Sequence, residues 1–348
     1  MRVLGIETSC DETSAVVLDG SGDDVRVESL VILSQDVHRV FGGVVPEIAS
    51  RAHLTAIVPV VEQAFTDAGS DRIDAVAVTN APGLVGALLV GVAFGKSFAF
   101  ARDVPVVGVH HMEGHLFATA LDDSNAVPPF TALLVSGGHT LLLDVEAWGK
   151  YRLLGRTRDD AAGEAFDKVA KLLGLPYPGG PHVERIAALA PAFRAGDGAL
   201  RFARPMLRRD QRPEDPDFYD VSFSGLKTAV LNAVKTASSE SDRATIARAF
   251  QDSVIDTLVE KTARAAKVYR RSCVVLGGGV AGNQTLVAAM RERFAADGIQ
   301  VFAPSPRLAT DNAAMIARAG LFHLERGERS GLDLNAFAAS PIPGLVAA

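Results

Sequence analysis

Residues 131–145 read Thr-Ala-Leu-Leu-Val-Ser-Gly-Gly-His-Thr-Leu-Leu-Leu-Asp-Val. Two apolar, β-favouring runs flank a Gly137-Gly138 turn, the pattern of a tight hairpin. The amino terminus has the same layout: Val3–Glu7, the polar turn Thr8-Ser-Cys-Asp-Glu-Thr13, then a returning run Ser14–Asp19. A later element repeats as well. Ala75–Thr79 leads through Pro82-Gly83 into a helix from about Leu84, and Cys273–Leu276 leads through glycines into another. Two copies of one strand-hairpin-strand-helix plan predict an α/β protein with two domains around a central cleft, where the polar turns of both halves meet. The second copy is the longer: 142 residues separate Ala132 from Val274, against 72 from Val3 to Ala75, so an insert is expected near residues 150–225. The expected domains are 1–130 with 325–348, and 131–324.

Between these landmarks the pattern predicts a third strand near Arg26–Leu33, a helix from Pro46 to Phe65 and a short strand over Val104–Val109. Within the insert, Gly163–Leu173 is an amphipathic helix closed by Gly174, and Tyr177–Pro181 is expected as a loop. Ser224–Lys227 and Ala244–Val268 complete the helices.

A chain of 348 residues fits two domains at about 150 residues each. A net charge of -6 argues against a protein that coats nucleic acid by charge alone. Arg201, Arg204, Arg208, Arg209 and Arg212 nevertheless form a local basic run, either a nucleic-acid contact or a solvated loop. Cys10 and Cys273 are too few for a disulfide framework. Glu7 interrupts the amino terminus too early for a signal-peptide core. The stretch Ala75–Gly95 carries no charge, but Asn80, Pro82 and its glycines break it into strand, turn and buried helix, so no membrane span is expected.

The strongest chemical signal lies in Gly108–Leu116, Gly-Val-His-His-Met-Glu-Gly-His-Leu. On a helix His111 and His115 project from one face and can meet one metal ion. A chance pairing among eight histidines is the competing explanation. A metalloprotease needs Glu directly after the first histidine, and Met112 occupies that position. The third ligand is open. Asp311 begins a carboxy-terminal helix, where Thr310 or Asp311 could equally be a plain N-cap. Two histidines and one carboxylate would suit Fe(II) or Zn(II). Gly277-Gly-Gly-Val-Ala-Gly282 fits a dinucleotide fingerprint, yet the next strand ends in Pro304-Ser305 without the ribose-binding acid, and no P-loop is present. What remains is a glycine turn that offers backbone N–H groups to a phosphate.

Five motifs in this order, Glu7-Thr-Ser-Cys-Asp-Glu-Thr13, Val109-His-His-Met-Glu-Gly-His115, Val135-Ser-Gly-Gly-His-Thr140, Gly277-Gly-Gly-Val-Ala-Gly-Asn283 and Ala309-Thr-Asp-Asn-Ala-Ala-Met315, resemble the TsaD family over essentially the whole chain. These are tRNA threonylcarbamoyladenosine transferases. The resemblance implies a duplicated actin/Hsp70/sugar-kinase fold and a cytosolic enzyme. Its reaction moves a threonylcarbamoyl group from threonylcarbamoyl-AMP to N6 of adenosine 37, in tRNAs reading codons that begin with adenine. It also implies one divalent metal, Fe(II) before Zn(II), on His111, His115 and Asp311. Adenylate contacts are implied at Leu134, Val135, Ser136, Gly137, Gly138, Asp167, Gly180, Glu184 and Asn283.

The implied partners are tRNA, the paralogue TsaB and the small ATPase TsaE. Leu134 stands where archaeal and eukaryotic members carry Tyr, as in bacterial members, and Glu184 stands where many carry Asp, so its contact is expected to be longer. Asp11 and Glu12 are candidate acceptors of the amine proton. The rival readings are an ATP-dependent kinase or ATPase on the same fold, with Mg(II) on carboxylates, and a noncatalytic scaffold.

Overall fold

The computed structural model describes residues 1–190 and 200–347; residues 191–199, inside the expected insert, lie outside the described residues. The chain forms two compact units, Met1–Asn125 with Pro304–Gly344, and Ala126–Ala303 with the closing strand.

In the first unit β1 (Arg2–Glu7), β2 (Glu12–Ser21) and β3 (Asp24–Ser34) form an antiparallel meander, and β4 (Ala75–Ala81) and β5 (Val106–His110) continue parallel to β1. The order is β3-β2-β1-β4-β5. The sequence dictates how each face is used, because side chains alternate along a strand. Leu4, Ile6, Val76 and Val78 pack with Ile57, Val60 and Val61 of α1 (Pro46–Asp67) and with Leu88 and Val92 of α2 (Val85–Arg102). Ala77 and Gly5 point the other way. Among the described residues α2 alone is long and apolar enough to cross a membrane, but Gly91 and Gly95 bring it against Thr8, just after β1, and Val78 of β4. Its apolarity on that side is core packing.

The opposite face carries α10 (Ala313–Glu325). A methyl group on Gly5 would stand 2.6 Å from the Ala313 carbonyl oxygen, and one on Gly320 would stand 2.3 Å from Ala77 Cβ. Both positions need glycine for close approach of helix and sheet. α3 (His111–Asp122) follows β5 directly and packs beside α10.

The second unit repeats the plan. β6 (Phe130–Val135), β7 (Thr140–Ala147) and β8 (Lys150–Arg156) form a meander, with β9 (Cys273–Gly277) and β10 (Gln300–Phe302) parallel to β6. The order β10-β9-β6-β7-β8 is that of the first sheet, extended by β11 (Leu345–Ala347) parallel to β8. The insert supplies α4 (Ala162–Leu172) and α5 (Gly179–Ala187), and α6 (Ser224–Val234) and α7 (Glu240–Tyr269) follow it. α8 (Gln284–Ala295) lies between β9 and β10, and α9 (Pro306–Ala309) precedes α10.

Three expectations change. The chain re-enters the first unit at Pro304, not at 325, because the apolar α10 is matched to the small-residue face of β1 and β4. Its last strand belongs to the second unit's sheet, not to the first. The Tyr177–Pro181 segment is only partly loop: α5 begins at Gly179, with Pro181 in its first turn, where a missing N–H is harmless.

Gly320→Ala should destabilise the protein by about 1–3 kcal/mol by forcing α10 off the sheet. Denaturant unfolding measures this, and an unchanged midpoint would show that the helix does not rest on Ala77.

Candidate metal centre

β5 ends at His110 and α3 starts at His111, so His111 and His115 occupy successive turns at the carboxyl end of a parallel strand. Their rings meet edge to face, with centroids 4.7 Å apart. Asp311 sits in the link between α9 and α10. It is not the helix cap: Asn312 Oδ1 accepts from the Met315 N–H at 3.1 Å and fills that role, which leaves the Asp311 carboxylate to face the histidines. Both His111 Nε2 and His115 Nε2 lie 3.3 Å from Asp311 Oδ1, and one ligand atom from each of the three falls within 4.8 Å of the others. All three residues belong to the first unit, so the group is not shared between the domains as expected.

The residues present fit a divalent cation. His115 is fully buried and its Nε2 makes no hydrogen bond although a carboxylate oxygen is 3.3 Å away. A buried acceptor left in this way is costly unless something else satisfies it. Behind His111, Glu7 at the end of β1 takes the other ring nitrogen: Oε2 is 3.1 Å from Nδ1 and also accepts from Thr79 Oγ1 at 2.6 Å. Ser9 Oγ is a further 3.1 Å neighbour of that nitrogen. A carboxylate that holds Nδ1–H fixes the tautomer and leaves Nε2 free to ligate. Glu113 faces elsewhere, with Oε2 2.8 Å from His323 Nε2 of α10, so it serves packing and not hydrolysis.

In the second unit the other expected residues gather around two turns. Leu134 and Val135 are wholly buried within β6, so their side chains present nothing to a ligand and their part is to hold the turn that follows. Gly137 and Gly138 are exposed, with no atom within 4 Å of where a Cβ would be. Gly278 has φ 88° and passes so close to the Val135 carbonyl that any side chain would collide. Asp167 Oδ1 accepts from the Gly179 N–H at 2.6 Å, beside the open Gly180. Glu184 Oε1 accepts from the Thr285 N–H and Oγ1, and Asn283 caps α8 through Leu286 N while its Nδ2 donates to Gln251 Oε1 at 3.2 Å. Asp167, Glu184 and Asn283 therefore organise helix starts around glycines left bare.

Residues 26–318 match the sequence profile of TsaD, tRNA N6-adenosine threonylcarbamoyltransferase. A protein of that name from Gemmatimonas aurantiaca is 66% identical over 99% of this chain and 98% of its own length, and one from Geobacillus thermodenitrificans is 49% identical over 98% and 96%. The chain belongs to the TsaD family. It is a transferase of tRNA modification, acting on adenosine N6. Among solved structures, HypF from T. kodakarensis matches with TM-score 0.60 at 15% identity over 94% of this chain and 48% of that one. Component A of the (R)-2-hydroxyglutaryl-CoA dehydratase from Acidaminococcus fermentans matches with TM-score 0.54 at 14% identity over 94% and 100%. The fold is the actin-like ATPase and sugar-kinase fold.

In this TsaD-family chain the electrostatics of the first unit centre on Asp311. Burial alone would raise its pKa, but the charge of His111 and the approach of both imidazoles hold the carboxyl well below its usual range. Burial would lower His111, and Asp311 and Glu7 overcome it and raise the ring well above the ordinary histidine value. His115 moves down, chiefly through burial. Glu12 is pushed well up by burial, then by Asp311 and Asp11, and Cys10 is pushed up by burial, so its thiol stays protonated. Buried carboxylates crowded on two imidazoles are the surroundings a cation relieves. Glu7 is the residue the sequence reading did not assign. Its signal was the carboxylate closing a strand in the first motif.

Glu7→Gln should weaken Fe(II) or Zn(II) binding roughly 10–100-fold. Competition against a chelator reads this directly, and parental affinity in the variant would show that Glu7 does not orient His111. Because the raised pKa of His111 keeps a proton on the metal-free ring, metal must displace it. Affinity should fall about tenfold per unit of acidification below that pKa. A titration series from about pH 8 to 6 tests the sign; constant affinity across it would place the proton elsewhere.

Proposed function

We propose that the chain transfers a threonylcarbamoyl group from threonylcarbamoyl-AMP to N6 of adenosine 37 in tRNAs that read codons beginning with adenine. One divalent metal, Fe(II) in preference to Zn(II), is held by His111, His115 and Asp311. The observation that carries this reading is the convergence of two imidazole Nε2 atoms on one carboxylate oxygen, with Glu7 behind His111. A magnesium-dependent kinase would favour an all-oxygen donor set, so the imidazoles speak for a transferase of the family's kind.

The exocyclic amine of adenine is a weak nucleophile, so the acyl donor must arrive activated, as a mixed anhydride does. The metal, when bound, supplies a Lewis acid and template for phosphate oxygens. Glu7 keeps His111 in the ligating tautomer, and Asp311 is kept ionised by its neighbours. The bare Gly137-Gly138 turn offers backbone N–H groups to a phosphate. Asp167, Gly180, Glu184 and Asn283 frame the nucleotide site of the second unit. Asp11 and Glu12 are the candidate acceptors of the amine proton.

The enzyme acts in the cytoplasm with the paralogue TsaB and the small ATPase TsaE. Support for pairing comes from Leu54 and Val58 of α1 and Val85 and Leu89 of α2, which expose apolar side chains to solvent.

Nucleoside analysis of tRNA incubated with threonine, bicarbonate, ATP and the companion proteins tests the reading. Wild type should yield the threonylcarbamoylated adenosine and His115→Ala at least a hundredfold less, on the scale of lost catalytic electrostatics. Equal yields would sink the metal-dependent transfer, and parental rates in both Asp11→Ala and Glu12→Ala would remove the proton-acceptor role.

A further inference from the structure

The second unit contains a groove of about 940 Å³ between the 204–213 loop and the carboxy-terminal half of α7, with α8 contributing Arg293. Its lining includes Arg208, Arg209, Arg264, Lys267, Arg270 and Arg293, against Asp256 and Glu260. Such a density of positive charge stands out in a chain of net charge -6.

The cations differ in their surroundings. Arg204 is paired with Asp256, Arg208 with Asp217 at 3.2 Å, and Arg293 with Asp297 at 3.2 Å. Arg264 lies over the Phe218 ring at 5.0 Å and donates to Gln211 Oε1 and the Arg208 carbonyl. Arg209, Lys267 and Arg270 are exposed and form no ion pair with any described residue. Like charges held together without a counter-charge attract an anion from solution. The groove is also preformed. Lys261, buried in α7, donates to the Asp217 and Phe218 carbonyls at 2.8 and 2.7 Å, and the bonds of Arg264 to Gln211 and the Arg208 carbonyl tie the 204–213 loop to the same helix.

Its location sets the size of the ligand. Gln251, in the middle of α7, touches Asn283 at the proposed nucleotide site. Lys267 is sixteen residues further along the same helix, about 24 Å at 1.5 Å per residue. A mononucleotide does not reach across that distance, whereas a structured polyanion does. Arginine also matches phosphate geometry better than it matches a generic anionic surface.

We infer that this groove binds the phosphodiester backbone of the tRNA substrate through Arg209, Lys267 and Arg270, with the paired arginines as its walls. The inference rests on the transferase reading for the identity of the RNA. The contact is to backbone, so it orients the tRNA and carries no sequence preference.

The test is anisotropy of labelled tRNA against the full-length protein over about 50–200 mM salt. The variant is Arg209→Gln/Lys267→Gln/Arg270→Gln. It should bind about tenfold more weakly, and the slope of log affinity on log salt should become shallower by about 0.7–0.9 per residue removed. Arg209→Lys/Arg270→Lys should keep the parental slope, and the transfer assay should show KM for tRNA raised in the triple variant.

Parental tRNA affinity and slope in a folded triple variant overturn the inference. So does a triple variant that loses only the companion proteins, which would make the groove a protein-docking surface. If wild type binds tRNA through these residues yet modifies none, the groove stands and the transfer reading falls.

Discussion

Close packing of one helix on one sheet face underlies the candidate site. Gly5 and Gly320 let α10 lie directly on β1 and β4, and that contact places the turn before α10 beside the first turns of α3. Asp311 comes to His111 and His115 as a result, although some two hundred residues separate them in the chain. The division of labour at the helix start is equally physical. Asn312 Oδ1 accepts the Met315 amide and Ser14 Oγ the Ala313 amide, so the neighbouring carboxylate is not used as a cap.

The charge cluster that this packing creates is unusual for a core. Glu7, Asp311, Glu12 and two imidazoles share a largely buried space, and each shifts the others away from ordinary titration. Buried charge is tolerated only with close partners, and a crowd of acidic groups on two histidines is balanced best by a cation. The opposite face of α3 shows the contrast. Glu113 is paired with His323, whose other ring nitrogen meets Glu328.

The second unit uses the same strand order for a different purpose. Its carboxylates and amide side chain are engaged with helix starts, and Gly137, Gly138 and Gly180 stay bare. Duplication thus gave two equivalent sheet ends, one equipped with imidazole and carboxylate, the other with open turns. The 204–213 loop of the insert adds a basic groove along α7.

Much was legible in the sequence because it is local. Periodicity, turn residues and repeated motifs fixed the hairpins, the duplication, the histidine pair on one helix face and the family itself. β8 escaped notice because its alternation is weak, and the start of α5 because Pro178-Gly-Gly-Pro181 reads as loop from composition. The sequence alone could not decide which unit receives Asp311, that Asn312 and neither Thr310 nor Asp311 caps α10, or that Glu7 stands behind His111. Those outcomes depend on which faces meet across long stretches of chain, and a small-residue face accepting a particular helix is a property of the packed structure, not of any segment read by itself.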